Sequence, residues 1–396
     1  MFNKKTIEDI DVTNKRVLVR VDYNVPLDDN LNVVDDTRIR LSLPTINYLI
    51  EKNARIILMS HLGRPKGVAE TKFKLDPAAK RLGELTGKEI RKFDSIFSSE
   101  IKEYIDNEMK YGEIVMLENL RFDPGEKANN DEFSKSLASL ADVYVDDAFG
   151  AAHRAHASVA GVTKYLPAVA GFLIKKEIEV LTSLLESPQR PFLTILGGSK
   201  VSDKIQVIRN LLGKVDSLIL GGGMTYTFLK AKGYEIGKSI CEDDQIDFAR
   251  EMLALAKKDN VNLILPVDIV IAKEFDSNAE KKLVSIQSIP VDWMGMDIGD
   301  KSIELFKKEI SGAKTIFWNG PVGVFEWSNF EKGTKNIANA VAGSQAVTVA
   351  GGGDTLAALK KYGLSSKFTH VSSGGGAAME LLEGKELPGV SSLLGK

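Results

Sequence analysis

The chain has 396 residues, a formal net charge of −2 and a hydrophobic fraction of 43%, which favours two globular domains and gives no support for bulk binding to nucleic acid or to an acidic membrane surface. The single cysteine, Cys241, cannot form an internal disulfide, and no apolar stretch approaches the ~20 residues of a membrane-spanning helix. We therefore expect a cytoplasmic protein that binds neither nucleic acid nor membrane.

Short apolar runs rich in Val and Ile alternate with helical patterns along the chain. The runs predicted as strands are 16–21, 55–59, 114–117, 143–145, 192–196, 217–220, 263–265, 315–318, 346–349 and 369–371. The helices predicted between them include 132–140, 204–212, 244–256 and 329–341. This alternation predicts an α/β fold with parallel sheets flanked by helices. Because such sheets bind ligands beyond the carboxyl ends of their strands, the loops after the strands are candidate sites.

The chain before residue 171 is rich in basic side chains. Ten of the thirteen arginines and three of the four histidines lie there. Four arginines lie at or near the loops that follow predicted strands, or in the helix after such a loop: Arg38, Arg64, Arg121 and Arg154. Paired N–H donors of arginine match carboxylate and phosphate oxygens, so we predict a small ligand with two or more anionic groups. Asp22 and Asn24 would suit its hydroxyls, and the alternative for any one of the basic residues is an ordinary surface or structural role.

A helix is predicted over 171–191, between the arginine-rich part of the chain and a glycine-rich part. Its apolar positions are Ile174, Ile178, Leu181 and Leu185, and Pro167 and Pro188 bound it. The change of composition on either side favours a linker between two domains. A packed surface helix within one domain is the alternative.

Glycine-rich loops follow the predicted strands only after this helix. Adjacent glycines begin at Gly197, Gly221, Gly351 and Gly374, and no Gly-Gly pair precedes them. Glycine lets a backbone approach a ligand closely, and a helix N-terminus presents free N–H groups. Lys200 and Lys204 share a helix face and could hold an anion between them, although solvated lysines on a tight turn are the alternative. Asp354 could cap the helix that follows or bind Mg²⁺ together with substrate phosphates.

Several familiar signatures are missing from the sequence. The segment 233–239 resembles a P-loop but is one residue short and follows no predicted strand. No G-x-G-x-x-G follows the first strand, which disfavours an NAD-dependent dehydrogenase. Hydrolase and zinc chemistry also have little support, because the sequence has no G-x-S-x-G and no His/Cys cluster with metal-ligand spacing.

Seven blocks in order resemble the phosphoglycerate kinase family along the length of the chain. They are 20–26, 60–65, 117–122, 147–156, 196–200, 318–326 and 351–354. The resemblance implies two Rossmann-like doubly wound domains joined by a linker helix. The first, 1–170, would bind phosphoglycerate, with 381–396 packing back on it. The linker would be 171–190 and the nucleotide-binding domain 191–380.

The resemblance also implies an activity, with Mg²⁺ as cofactor and a monomer as the expected state. The acyl phosphate of 1,3-bisphosphoglycerate would pass reversibly to ADP, giving 3-phosphoglycerate and ATP. The implied phosphoglycerate site is Asp22, Tyr23, Asn24, Arg38, His61, Leu62, Gly63, Arg64, Arg121 and Arg154. The implied nucleotide site is Gly197, Gly198, Lys200, Lys204, Gly237, Gly295, Glu326, Gly352, Gly353, Asp354 and Thr355, with Asp354 on the metal.

No general base is expected, because a carboxylate acceptor is already ionised near pH 7. Catalysis should rest on positioning and charge neutralisation, for which we name Arg38, Lys200 and the backbone of Gly353 and Gly375. Flexing at the ends of the linker helix would bring the ligands together, so Gly171→Ala is expected to slow turnover more than it weakens binding. A non-catalytic hinged binding protein for a phosphorylated small molecule is the alternative, although it does not explain the glycine loops.

Overall fold

The computed structural model describes residues 2–396. The chain divides into two compact units. The first contains the residues up to Glu179 together with Glu386–Lys396, and the second is Val180–Lys385. The division falls within a helix, whereas the sequence analysis treats residues 171–190 as a separate segment.

The first unit is built on a parallel sheet. Its strands are β1 Arg16–Arg20, β2 Arg55–Met59, β3 Ile90–Lys92, β4 Ile114–Met116, β5 Val143–Asp146 and β6 Ala168–Ala170, in the order β3-β4-β2-β1-β5-β6. Its helices are α1 Thr37–Glu51, α2 Asp76–Thr86, α3 Ser99–Glu103, α4 Pro124–Lys127 and α5 Asp131–Ala138, and α6 Phe172–Glu186 begins in this unit. Single 3₁₀ or π turns occur at Thr71–Phe73, Tyr104–Glu108, Leu120–Phe122, Phe149–Ala151, Ala157–Gly161 and Val162–Lys164. Because helices cover both faces, strand residues such as Val17, Leu18 and Val19 are fully buried.

The second unit contains a parallel sheet and a smaller antiparallel one. Its strands are β7 Phe192–Leu196, β8 Ser217–Leu220, β9 Asn262–Ile264, β10 Asp268–Ala272, β11 Lys281–Ser285, β12 Met294–Ile298, β13 Thr315–Asn319, β14 Val347–Gly351 and β15 His370–Val371. Its helices are α7 Ile205–Leu212, α8 Met224–Ala231, α9 Ile246–Lys258, α10 Asp300–Gly312, α11 Lys332–Ala342, α12 Gly353–Lys361 and α13 Gly375–Leu382. Single 3₁₀ turns occur at Ser202–Lys204, Asp243–Gln245 and Ser365–Lys367. The parallel order is β15-β14-β13-β7-β8-β9, and the antiparallel order is β11-β10-β12.

The strand order identifies where a ligand would bind in each unit. In the second unit β7 pairs with β8 on one side and with β13 on the other. The chain therefore reverses its direction across the sheet at β7, and the loops after β7 and β13 flank a crevice at the sheet's carboxyl edge. In the first unit β1 occupies the equivalent place, between β2 and β5.

The C-terminal residues lie in the first unit. A short helix, α14 Pro388–Ser391, follows the second unit. The N–H of Gly389 donates to the carbonyl of Ala152 at 2.8 Å, and the N–H of Leu394 donates to the carbonyl of Ala168 at 3.0 Å. The first unit is thus completed by chain that lies more than two hundred residues from its core strands.

The predicted α/β fold with parallel sheets is confirmed, and several elements were not predicted. Three predicted strands, 55–59, 192–196 and 217–220, coincide with β2, β7 and β8. The sequence analysis missed β3, β6 and the antiparallel sheet. Three positions of the apolar stripe predicted in α6, Ile174, Ile178 and Leu181, are buried, whereas at the fourth Leu184 is buried and Leu185 is half-buried. Within residues 2–396, no helix is long and apolar enough to cross a membrane.

Candidate functional site

The loops after β1 and β2 hold a cluster of polar side chains in the first unit. Nη1 of Arg38 lies 3.1 Å from a carboxylate oxygen of Asp22 and donates to the backbone carbonyl of Asn24 at 3.0 Å. The side chain of Asn24 accepts from the N–H of Gly63 at 2.8 Å, which ties the two loops together. Arg38 is 35% exposed, so its guanidinium is held through Nη1 and still partly open to a ligand.

His61 lies in the same cluster with a neutral ring. Its Nδ1 is 3.0 Å from Nη2 of Arg20, a residue that is only 1% exposed. Burial and the positive charges of Arg20, Arg121 and Arg38 hold the pKa of His61 well below its usual value. His61 is therefore a hydrogen-bonding group and not a cation at neutral pH.

The positive charges of the cluster belong to arginine. Nη1 of Arg121 donates to the carbonyl of Gly63 at 2.8 Å, and burial and the charge of Arg20 lower the pKa of Arg121 without neutralising it. Arg64 and Arg154 are exposed, and their charges act on the pKa of Arg121 and of His156 respectively. Burial and the charges of Arg121, Arg20 and Arg154 lower the pKa of His156 to about 4. A ligand that fits this field carries negative charge.

Two of the predicted site residues contribute core side chains. Tyr23 is fully buried, and its hydroxyl lies 2.8 Å from that of Ser42. Leu62 is also buried, and its carbonyl accepts from the side chain of Asn119 at 2.8 Å. Both residues were predicted in the site from the family resemblance, but their side chains are buried in the core.

In the second unit the loops after β7 and β13 are in direct backbone contact. The N–H of Gly197 donates to the carbonyl of Asn319 at 2.8 Å, and that of Gly198 to the carbonyl of Pro321 at 3.1 Å. A Cβ at Gly197 would lie 2.1 Å from the carbonyl oxygen of Pro321. Glycine is therefore required here for the close approach of two loops.

Lys204 projects into the polar region that these loops form. Its Nζ donates to the side-chain oxygen of Asn319, whose amide nitrogen donates to the carbonyl of Gly351 at 2.9 Å. Burial lowers the pKa of Lys204 to about 8, although the nearby carboxylates of Asp203 and Asp354 act in the opposite direction. Lys200, the other predicted lysine, is exposed. Asn319 was not among the predicted site residues, although its motif was.

The N-termini of α12 and α13 lie side by side. A Cβ at Gly375 would lie 3.4 Å from the Cα of Gly352 and 3.6 Å from the N–H nitrogen of Gly353. Gly352 is the N-cap of α12, with φ of +90°, and it has no side chain with which to cap. The N–H groups at the first turns of both helices, which have no intrahelical acceptor, therefore lie close together beside Gly352 and Gly375.

The two residues after Gly353 have different environments. Thr355 is buried, and its hydroxyl accepts from the N–H of Gly320 at 2.6 Å, so its side chain supports the β13 loop. Asp354 is exposed in the first turn of α12 and is not the N-cap. Gly352 occupies the N-cap position, so Asp354 does not have the capping role that the sequence left open, and α12 has no side-chain cap.

A cavity of about 660 Å³ adjoins this polar region. Of the predicted residues, Gly198, Gly295, Glu326 and Asp354 line it. Its other walls include Tyr226, Lys238, Phe275, Asp297 and Trp327, which were not predicted. Gly295 is required for packing, because a Cβ there would lie 1.6 Å from the Tyr226 hydroxyl. The cavity is lined by apolar side chains such as Phe275 and Trp327 and, beside the α12 N-terminus, by Asp354, which suits a planar ring attached to anionic groups.

The sequence lacked a signal for most of these walls. Tyr226 lies inside α8, and Phe275 lies between β10 and β11, so no local motif marks them.

Gly237 packs against the carbonyls of Trp293 and Pro290, and its neighbour Lys238 lines the cavity. Burial raises the pKa of Asp297 to about 8, and its two oxygens accept from the N–H groups of Ile298 and Gly333.

A metal could be considered at two places. The carboxylates of Asp76, Asp94 and Glu118 lie close together, but Nζ of Lys92 forms an ion pair with each of them. The lysine already supplies the positive charge there. Asp354 is the better candidate, because an exposed carboxylate beside free helix N–H groups suits Mg²⁺ carried by phosphates.

Comparisons with known proteins agree with this geometry. The family model described as phosphoglycerate kinase matches residues 7–385. The phosphoglycerate kinase of Dictyoglomus turgidum is 55% identical, covering 99% of this chain and 100% of the relative, and that of Pelotomaculum thermopropionicum is 54% identical with the same coverage. The phosphoglycerate kinase structure from Coxiella burnetii superposes with a TM-score of 0.89 at 42% identity, and the one from Pyrococcus horikoshii with 0.85 at 33%; each pairing covers 98% of both chains.

Proposed function

Since the chain belongs to the phosphoglycerate kinase family and is a phosphotransferase, we propose that it transfers a phosphoryl group reversibly between ATP and the carboxylate of 3-phosphoglycerate. In the other direction 1,3-bisphosphoglycerate and ADP are the substrates. The second unit holds the nucleotide and the first holds the phosphoglycerate. The hinged binding protein without catalysis is not favoured, because the family is one of kinases.

The observation that carries the proposal is the pairing of the α12 and α13 N-termini beside Lys204. Their N–H groups and the lysine supply positive potential at one place, which favours a polyphosphate. The adjoining cavity has room for a base, with Gly295 in its wall and Glu326 available to the ribose hydroxyls. Gly353 and Gly375 contribute backbone N–H groups to the transferring phosphoryl group, and Lys200 and Lys204 contribute charge.

The arginine cluster of the first unit suits phosphoglycerate. A triply anionic ligand needs fixed cations and a few groups for its hydroxyl. Arg38, Arg64, Arg121 and Arg154 supply the cations, while His61, Asp22 and Asn24 form hydrogen bonds at the strand ends. Arg38 would bind the acceptor carboxylate, because its guanidinium is held through Nη1 and is still partly exposed.

Mg²⁺ is proposed to accompany the nucleotide, held by Asp354. The residue fits, since its carboxylate is exposed, lines the cavity and stands in the first turn of α12. When bound, the ion would neutralise charge on the phosphates. The chain's own contribution is to orient both ligands and exclude water, and no residue has to remove a proton from an ionised carboxylate. Movement about the ends of α6 to bring the ligands together stays a prediction.

A coupled assay tests the proposal. The protein is incubated with 3-phosphoglycerate and MgATP, and ADP formation is followed. We expect ADP formation only when the protein, 3-phosphoglycerate and MgATP are all present. Binding of 3-phosphoglycerate without turnover would favour the hinged binding protein, and NAD reduction without ATP would favour a dehydrogenase.

A further inference from the structure

Behind His61 lies a buried chain of hydrogen bonds that the proposed function does not use. Nε of Arg20 donates to the hydroxyl of Ser158 at 2.9 Å, and its Nη1 donates to the carbonyl of Val21. Nη2 of Arg20 lies 3.0 Å from Nδ1 of His61. The backbone N–H and the hydroxyl of Ser158 donate to the two carboxylate oxygens of Glu126, at 3.0 and 2.7 Å.

Every member of this chain is buried and held by at least one further partner. Glu126 and Ser158 are fully buried, and Arg20 is 1% exposed. The hydroxyl of Tyr144 donates to the carbonyl of Ser158 at 2.9 Å, so the serine is fixed from both sides. Ser158 lies in the π turn Ala157–Gly161, and its carboxylate partner lies in α4. A buried arginine without hydrogen-bond partners would be costly, and the Ser158 hydroxyl that accepts from Arg20 is itself held by the carboxylate of Glu126.

The chemistry of arginine fixes the proton on His61. A guanidinium has five N–H donors and no acceptor. Nδ1 of His61 must therefore present its lone pair to Arg20, and the single proton of the neutral ring lies on Nε2. Nε2 is the ring nitrogen that remains for a ligand.

We propose that Glu126 and Ser158 act through Arg20 to hold His61 as the Nε2–H tautomer, so that His61 donates a hydrogen bond to an oxygen of the anionic substrate. Arg20, Ser158 and Glu126 are positioning residues, and only His61 touches the ligand. The identity of that ligand, 3-phosphoglycerate, rests on the proposed function. The tautomer does not, because it is a property of the free protein.

The direct test is ¹⁵N NMR of the imidazole nitrogens in the ligand-free protein at neutral pH. The chain has four histidines, and His61→Gln identifies the signals of interest. We expect Nδ1 of His61 to resonate as an unprotonated nitrogen and Nε2 as a protonated one. A protonated Nδ1, or exchange between both tautomers, would overturn the proposal without any variant being made.

Two variants test the positioning residues. Glu126→Gln and Ser158→Ala each remove acceptors from the chain, and we expect both to give mixed His61 tautomers. The KM for 3-phosphoglycerate should rise roughly fivefold to twentyfold, the loss of one hydrogen bond to a charged ligand, while the KM for ATP stays unchanged. Glu132→Gln is the matched control, because it removes the same charge from an exposed position on α5.

The outcomes separate this inference from the proposed function. If both variants keep the wild-type tautomer, the positioning role is wrong even when the enzyme is active. If the tautomer changes and the KM for 3-phosphoglycerate does not, the Nε2–H donor is not used by the substrate. Absence of 3-phosphoglycerate-dependent turnover in the wild type would remove the proposed function and leave the NMR result standing. Where one variant fails to fold, the other and the wild-type spectrum decide.

Discussion

Lys204 is expected to stabilise the nucleotide complex at the expense of the free protein. Its ammonium group is largely buried with Asn319 as hydrogen-bond partner, and burial lowers its pKa from 10.5 to about 8. A lysine whose pKa is lower in the folded than in the unfolded state destabilises the fold when it is charged. Lys204→Met keeps most of the apolar stem and removes the charge. We therefore predict a more stable protein that binds nucleotide poorly.

The pKa difference sets the size of the effect. A fall from 10.5 to about 8 corresponds to at most about 3 kcal/mol of destabilisation. Below pH 8 both folded and unfolded states carry the proton, so the whole cost is present. Between about pH 8 and 10.5 the unfolded state binds more protons, wild-type stability rises with pH, and the advantage of the variant fades.

The free energy of unfolding of Lys204→Met and wild type is measured in denaturant from pH 7 to 10. At pH 7 we expect a gain of up to about 3 kcal/mol, or about 2–4 °C in Tm per kcal/mol, and an ATP affinity roughly tenfold to a hundredfold weaker. The control is Lys308→Met, an exposed lysine on α10, which should show neither effect. A variant less stable than wild type at pH 7, or a gain that does not fall as the pH rises, would refute the reasoning.

Three further substitutions test the site. Arg38→Ala is expected to lower kcat by orders of magnitude with the fold intact by circular dichroism, because the guanidinium is fixed at the strand ends by Asp22; unchanged turnover would remove it from the catalytic groups. Asp354→Ala is expected to weaken magnesium-dependent ATP binding roughly tenfold, and a Kd unaltered across a magnesium titration would argue against the metal role. Gly197→Ala would bring a Cβ within 2.1 Å of the Pro321 carbonyl oxygen, so we expect about 1–3 kcal/mol less stability in denaturant and weaker nucleotide binding; wild-type stability would contradict the close approach.

The parallel sheets could be predicted because their strands are buried on both faces. The strand Phe192–Leu196 has four apolar residues in five and is followed by two glycines, and this pattern marks both the strand and the loop beyond it. By contrast β11, Lys281–Ser285, is mostly exposed and begins with two lysines, so its pairing with β10 is invisible in composition. β3, Ile90–Lys92, has one apolar residue and two basic ones, and β6, Ala168–Ala170, has two alanines, so neither is a run rich in Val and Ile.

The candidate site was predictable where chemistry is concentrated in short motifs. Gly352, Gly353 and Asp354 stand together in sequence and lie together in the structure. The walls of the cavity were not predictable, because Tyr226, Phe275 and Trp327 come from separate elements and are joined only by the fold. Aromatic side chains in such places are indistinguishable from core residues in a sequence. The hydrogen-bonded connection from Glu126 to His61 could not be predicted for the same reason, because it runs through Ser158 and Arg20, which lie far apart in the sequence.

Gly171→Ala is a poor test of whether the chain flexes at the start of α6. A Cβ at Gly171 would lie 2.2 Å from a carboxylate oxygen of Asp147. That oxygen accepts from the N–H of Leu173 at 2.8 Å in the first turn of α6. Asp147 is fully buried, and burial raises its pKa to about 7. A displaced carboxylate would lose the hydrogen bonds that offset the cost of its burial. The substitution would displace Asp147 and loosen the start of α6, whereas a test of flexing at the helix end needs a change that stiffens it. A fall in stability with a proportionate loss of activity would follow from the Asp147 contact alone. Only a substitution that leaves this carboxylate in place can report on flexing at the end of the helix.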